Sequence, residues 1–120
     1  PIFERTIAMI IFSYLIYAFL CLYALLVFYL AVMTLKRARD AKLLTKTATA
    51  FGIPVLVVGL LLDFLANVFV MSLMLLELPR ETTVTARLKR HNKESTGWRL
   101  AIVKWAEPLL DPFDPSGDHI

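Results

Sequence analysis

The sequence predicts an all-α membrane protein with two transmembrane helices in an antiparallel hairpin and an amphipathic C-terminal helix. The 120-residue chain is 58% hydrophobic, whereas soluble domains are typically about 45–50% apolar. The excess lies in two runs. Residues 6–35 contain no Lys, Arg, Asp, Glu or His, and residues 47–76 contain only Asp63. Both runs exceed the roughly 20 apolar residues that a spanning helix needs.

These runs divide the chain into four segments: a first transmembrane helix at 1–35, a basic connecting segment at 36–49, a second transmembrane helix at 50–78 and a basic amphipathic tail at 79–120. The first run is about twice as long as the ~7–15-residue core of a signal peptide, so we expect it to remain as an anchor. We expect the first helix to continue into the connecting segment and the chain to turn back near residues 47–52. Pro79 is expected to mark the end of the second helix, because proline cannot donate a backbone hydrogen bond.

The basic residues predict an orientation with both termini in the cytoplasm. The connecting segment carries five Lys or Arg residues, against six near the span ends on the side of the termini. The positive-inside rule assigns the richer side to the cytoplasm. With two spans, the connecting segment and the tail lie on opposite sides. The net charge of +3 is interpreted as attraction to anionic headgroups of a lipid bilayer rather than to nucleic acid.

A set of small and polar residues shares one face of the second helix: Gly52, Gly59, Asp63, Ala66 and Asn67. Small residues let two helices approach closely, and polar residues form hydrogen bonds across the contact. The depth matching of an antiparallel hairpin places Asp63 near Cys21 and Asn67 near Tyr17. This face is therefore predicted to pack against the first helix.

Two roles for Asp63 follow from its position in the membrane. An intramembrane carboxylate is typical of a proton or cation relay or of a wet pore. The alternative is a hydrogen-bonded Asp63 that fixes the helix register. A relay needs further ionisable groups along its path, and Glu77 is the only other candidate. We therefore interpret Asp63 as a packing residue that faces protein.

The tail contains a second pattern, in TGWRLAIVKWAEPLL. Its apolar residues share one helix face, namely Trp98, Ala101, Ile102, Trp105 and Leu109, and Arg99 and Lys104 flank this face. Such a face is typical of a helix at the membrane interface. Packing on the chain itself or on a partner is the alternative. The preceding stretch has only Val84 and Leu88 in helical register.

The sequence contains no glycine-rich phosphate loop, zinc-ligand spacing or nucleophile elbow, so we predict a non-enzymatic protein without cofactor or metal. His91 and His119 are expected to be solvated. Asp111, Asp114 and Asp118 lie close together in DPFDPSGDH. Their spacing differs from that of a calcium-binding loop, so the sequence predicts a series of turns there.

Three blocks, ELPRE, TARLKR and LDPFDPSG, resemble a group of small uncharacterised membrane proteins of tailed phages and prophages. The resemblance covers roughly residues 61–120. Members of the group often end in His-Cys, whereas this chain ends in His119 and Ile120. The resemblance implies a phage context and no particular activity. With the two predicted spans, we expect a multi-pass protein of the bacterial inner membrane.

Three functions fit these expectations. The first is an accessory modulator of the host envelope, of the superinfection-exclusion type. The second is a structural subunit of a larger membrane or virion assembly, and the third is a pore-forming lysis protein. The small polar face predicts a homo-oligomer or a membrane-protein partner.

Overall fold

A computed structural model describes all 120 residues and contains helices but no strands. Helix α1 is Ile2–Asp40, α2 is Lys46–Leu75, α3 is Val84–Glu94 and α4 is Trp98–Leu110. Within α2, Ala66–Met71 is π-helical, and a short 3₁₀ turn, Asp111–Phe113, follows α4. The predicted all-α class is confirmed.

Both long helices have the length and composition to cross a membrane. The mean hydropathy of their most apolar windows is 2.5 in α1 and 2.4 in α2. Helix α1 continues to Asp40, as predicted, but the chain turns earlier than residues 47–52. Thr45 caps α2, because its Oγ accepts a hydrogen bond of 3.1 Å from the Ala48 N–H. The connection between the two helices therefore contains only residues 41–45.

Helices α1 and α2 form an antiparallel hairpin. The two glycines of the predicted face are buried, Gly52 against Leu35 and Gly59 against Phe28 and Val32. Near the other end, the Tyr14 hydroxyl donates a hydrogen bond of 3.1 Å to the Phe69 carbonyl. Since neither glycine has a side chain, the two backbones approach closely at these points.

Gly59→Leu is expected to destabilise the hairpin, whereas Gly59→Ala is expected to be tolerated. A Cβ atom at Gly59 would lie 3.5 Å from Phe28 Cβ and 3.6 Å from Val32 Cγ2, which is ordinary contact. A leucine overfills this space, at a typical cost of about 1–3 kcal/mol. Thermal unfolding of the purified protein in detergent measures the effect, with Val58→Leu at the exposed neighbouring position as the control. Equal melting of Gly59→Leu and wild type would contradict this packing.

The tail folds back along the hairpin. Helix α2 ends at Leu75, before Pro79, and Leu76 adopts the left-handed conformation with φ of 51° and ψ of 48°. The Glu77 N–H then donates a hydrogen bond of 3.1 Å to the Ser72 carbonyl. This reversal directs α3 and α4 onto the hairpin. The resulting core contains residues of α2 and of the tail: Ala66, Met71, Leu75, Val84, Leu88, Val103, Ala106 and Ile120.

The molecule is a thin slab with an uncovered apolar side. Its Cα dimensions are 60 × 32 × 22 Å, and its helices lie in two layers. One layer is the hairpin and the other is the tail, which reaches α1 from Cys21 onward. Residues 2–17 of α1 are exposed throughout.

Candidate functional site

The polar face of α2 meets the tail. Asp63 Oδ1 accepts a hydrogen bond of 2.6 Å from the backbone N–H of Val84, the first residue of α3. The first N–H groups of a helix have no partner within the helix, so the carboxylate satisfies one of them. Thr83 Oγ accepts a second, of 3.1 Å, from the Ala86 N–H. Asp63 therefore faces protein, but its hydrogen-bond partner lies in α3 rather than in α1.

Asn67 has no exposed surface and holds the tail from both ends of its amide. Its Nδ2 donates a hydrogen bond of 2.5 Å to the Glu81 carbonyl, and its Oδ1 accepts one of 3.3 Å from Arg87 Nη1. Arg87 Nη1 donates to the Asn67 backbone carbonyl over 2.7 Å and to Ser72 Oγ over 3.1 Å. Asn67 lies in the π-helical part of α2, where backbone hydrogen bonds join residues five apart instead of four. Its backbone carbonyl accepts hydrogen bonds from Arg87 Nη1 and, over 3.3 Å, from Ser72 Oγ.

Three side chains converge on one oxygen of Glu77, and we call these four residues the Glu77 cluster. Glu77 Oε1 lies 3.1 Å from Arg87 Nε, 2.7 Å from Arg90 Nη2 and 2.6 Å from His91 Nε2. Arg87 also donates to the Glu77 carbonyl over 2.8 Å and is fully buried. Partial burial of the carboxyl opposes ionisation, but hydrogen bonds from Arg90, His91 and Arg87 lower the pKa of Glu77 to about 2.

His91 links this cluster to Ser95, so that Ser95, His91 and Glu77 lie in sequence as in a serine–histidine–carboxylate triad. Two features indicate a structural role instead. His91 is only 2% exposed, which leaves no access for a substrate, and the Glu77 oxygen is already shared with two arginines. Ser95 is also the C-cap of α3, one turn after His91. The prediction of a solvated His91 is wrong, because this buried side chain contacts both Glu77 and Ser95, the C-cap of α3.

The terminal turn, which we define as residues 111–120, attaches to the end of α1. Asp114 accepts a hydrogen bond of 3.1 Å from Lys36 Nζ and contacts His119 Nδ1 over 2.9 Å. Burial opposes ionisation of Asp114, yet hydrogen bonds from His119, Ser116 and Lys36 hold its pKa well below the usual range. The prediction of a solvated His119 is therefore also wrong.

Asp111 organises the same turn from within. Its Oδ1 accepts hydrogen bonds of 2.8 Å from the His119 N–H and 3.0 Å from the Ile120 N–H. The carboxylates of Asp111 and Asp114 thus bind donors of the chain itself. The segment forms a series of turns, as the sequence indicated.

Only part of the small polar face of α2 packs against α1, whereas the sequence predicted this for the whole face. Gly52, Gly59, Ala66 and Asn67 are buried, but Tyr17 is 71% exposed, so its predicted contact with Asn67 is wrong. The tail occupies the polar atoms of Asn67, and the hydroxyl contact between the two long helices is made by Tyr14 instead.

The tryptophan face of α4 is open. Trp98 is 47% and Trp105 71% exposed, so packing on the chain itself does not occupy this face. Lys104 pairs with Glu107 over 3.3 Å at its border. Arg99 lies on the buried side, where its Nε donates a hydrogen bond of 2.9 Å to the Leu75 carbonyl at the end of α2.

The sequence analysis missed the Glu77 cluster. The buried positions of α3 are Val84, Arg87, Leu88 and His91, which follow the helical spacing i, i+3, i+4 and i+7. Two of these four residues, Arg87 and His91, are polar. A search for apolar residues at helical spacing therefore does not detect the buried face of α3.

No family model, curated protein or solved structure matches the chain. The resemblance of residues 61–120 to phage and prophage membrane proteins thus stays a prediction.

Proposed function

We propose that this protein is a phage or prophage accessory protein that resides in the bacterial inner membrane and modulates the host envelope, in the manner of a superinfection-exclusion factor. The observation that carries the proposal is the closure of the α2 polar face by the tail. Asp63 and Asn67 bind Val84, Glu81 and Arg87. The outward surface of the hairpin is then apolar and suited to lipid or to a membrane-protein partner.

The same observation argues against a lysis pore. A pore would use Asp63 and Asn67 as a polar lining exposed to water. In this fold Asn67 has no exposed surface, and Asp63 caps α3. The polar groups in the hairpin serve to attach the tail.

A structural subunit is the second candidate, and the open tryptophan face supports it. Trp98 and Trp105 are exposed, and aromatic residues are enriched at the centres of protein interfaces. A homo-oligomer or a membrane-protein partner would cover this face.

Expression in a susceptible bacterial host separates these functions. We expect normal growth and fewer plaques from related phages, because the proposed protein alters the envelope without permeabilising it. Trp105→Ser is expected to weaken protection, whereas Lys89→Met, at an exposed position, should retain it. Loss of host viability on expression would favour the pore, and normal growth with undiminished plaque formation would favour the subunit.

A further inference from the structure

The tail contacts both ends of the hairpin. At one end, Arg99 Nε donates to the Leu75 carbonyl over 2.9 Å. At the other, Lys36 pairs with Asp114 over 3.1 Å, and Arg37 Nη2 donates to the Phe113 carbonyl over 3.0 Å. Leu75 and Gly52, which packs on Leu35 beside Lys36, are 75 − 52 = 23 residues apart on α2, about 35 Å at about 1.5 Å per residue. The hydrocarbon core of a bilayer is only about 30 Å thick, so the tail lies beside the whole stretch that would cross it.

This arrangement is incompatible with a hairpin that stands upright in the bilayer. The outer side of the tail carries exposed charged residues, namely Lys89, Lys93, Glu94 and Lys104. Charged residues are strongly disfavoured at the centre of a bilayer. Two full crossings would also place the connection at residues 41–45 and the terminal turn on opposite sides, whereas Lys36 and Asp114 are in contact.

The other flank of the hairpin has the opposite character. Its exposed side chains are large and apolar, and include Phe51, Val57, Leu61, Phe64 and Phe69. The hairpin is one helix layer of about 10–12 Å in a slab 22 Å thick. One leaflet offers about 15 Å of hydrocarbon, half of the bilayer value. A single helix layer therefore fits within one leaflet.

We propose that the hairpin lies in the cytoplasmic leaflet, nearly parallel to the membrane plane, with its uncovered flank in the hydrocarbon and the tail in water. The partner is an anionic lipid surface, because Arg37, Arg39, Lys42 and Lys46 surround the connection between the helices and cations there attract acidic headgroups. Residues 2–17, which are exposed and which the tail does not cover, enter the lipid most deeply. The proposal rests on the membrane function proposed above. It replaces the expectation from the sequence that the connecting segment and the tail lie on opposite sides of the membrane.

Accessibility of single cysteines tests this placement. Lys42→Cys and Asp118→Cys, each in a Cys21→Ala background, are exposed positions in the connection and in the terminal turn. We expect an impermeant thiol reagent to label neither in intact spheroplasts and both after permeabilisation. Labelling of both in intact spheroplasts would overturn the assignment to the cytoplasmic leaflet. Labelling of only one would overturn the proposal, while recovery in the membrane fraction would still support the proposed function.

Crosslinking shows whether the tail stays folded back in membranes. Lys36→Cys with Asp114→Cys, again in the Cys21→Ala background, should react efficiently with a short bis-maleimide, since the two native side chains are in contact. The control pair is Arg5→Cys with Asp114→Cys. Arg5 lies 36 − 5 = 31 residues before Lys36 on α1, about 46 Å away along the axis. A membrane-bound protein in which neither pair crosslinks would overturn the proposal.

Discussion

Arg87→Met is expected to release the tail from the hairpin and to destabilise the fold by about 3 kcal/mol, the lower end of the range for a broken buried ion pair. Arg87 is fully buried and donates to the Asn67 and Glu77 carbonyls as well as to the Glu77 carboxylate. Methionine fills a similar volume without donors, so these acceptors lose their partner. Arg90 and His91 still contact Glu77, which limits the loss.

Unfolding in detergent, followed by circular dichroism and by protease cleavage of the tail, measures this effect. Lys89→Met is the matched control, because it removes the same kind of charge from an exposed position of α3. Arg87→Lys should fall between the two, since it keeps the charge but loses the planar fork that bonds several acceptors. An Arg87→Met protein as protease-resistant as Lys89→Met would show that the buried contacts do not hold the tail.

Acid is expected to loosen the same part of the molecule. The pKa of Glu77 is lowered from 4.5 to about 2 in the fold, so its contribution to stability is complete above the unfolded value. That contribution is lost as the pH falls from about 4.5 towards 2. Protonation weakens the attraction of Glu77 for Arg87, Arg90 and His91. Emission from Trp98 and Trp105, the two tryptophans, both in α4, reports the release.

Glu77→Gln distinguishes this cause from general acid unfolding. The variant should be less stable at neutral pH and should lose less further stability between pH 4.5 and 2 than wild type. Glu94→Gln, at an exposed position of α3, should keep the wild-type profile. Asp114, whose pKa is also lowered in the fold, is unchanged in both variants, so some acid sensitivity must remain. Identical profiles for Glu77→Gln and wild type would contradict the role of the Glu77 cluster.

The hairpin was predictable because its signal is strong and local. Long uncharged runs specify the two helices, and the spacing of Gly52, Gly59 and Asp63 places them on one face. The glycines do lie against α1. The predicted helix ends were less accurate. Helix α2 ends at Leu75 because Leu76 adopts the left-handed conformation. That conformation is uncommon for a residue other than glycine, so the sequence does not indicate it.

The position of the tail was not predictable from the same patterns. Its buried face contains Arg87 and His91, whose partners Asn67 and Glu77 lie 20 and 14 residues away in sequence. A guanidinium is normally expected in water, and only complete pairing permits its burial. The groups that pair with Arg87 and His91 come close to them only after the chain has reversed direction at Leu76.

The conformation of Leu76 sets the overall shape of the molecule. Its φ of 51° costs an ordinary L-residue roughly 1–2 kcal/mol relative to the right-handed helix. With a right-handed helical backbone at this residue, the tail would leave along the axis of α2 and the protein would be a rod. The left-handed turn makes it a flat slab instead, with a smallest Cα dimension of 22 Å. A slab inserted into one leaflet occupies area there and none in the other, and such an imbalance in area bends a membrane.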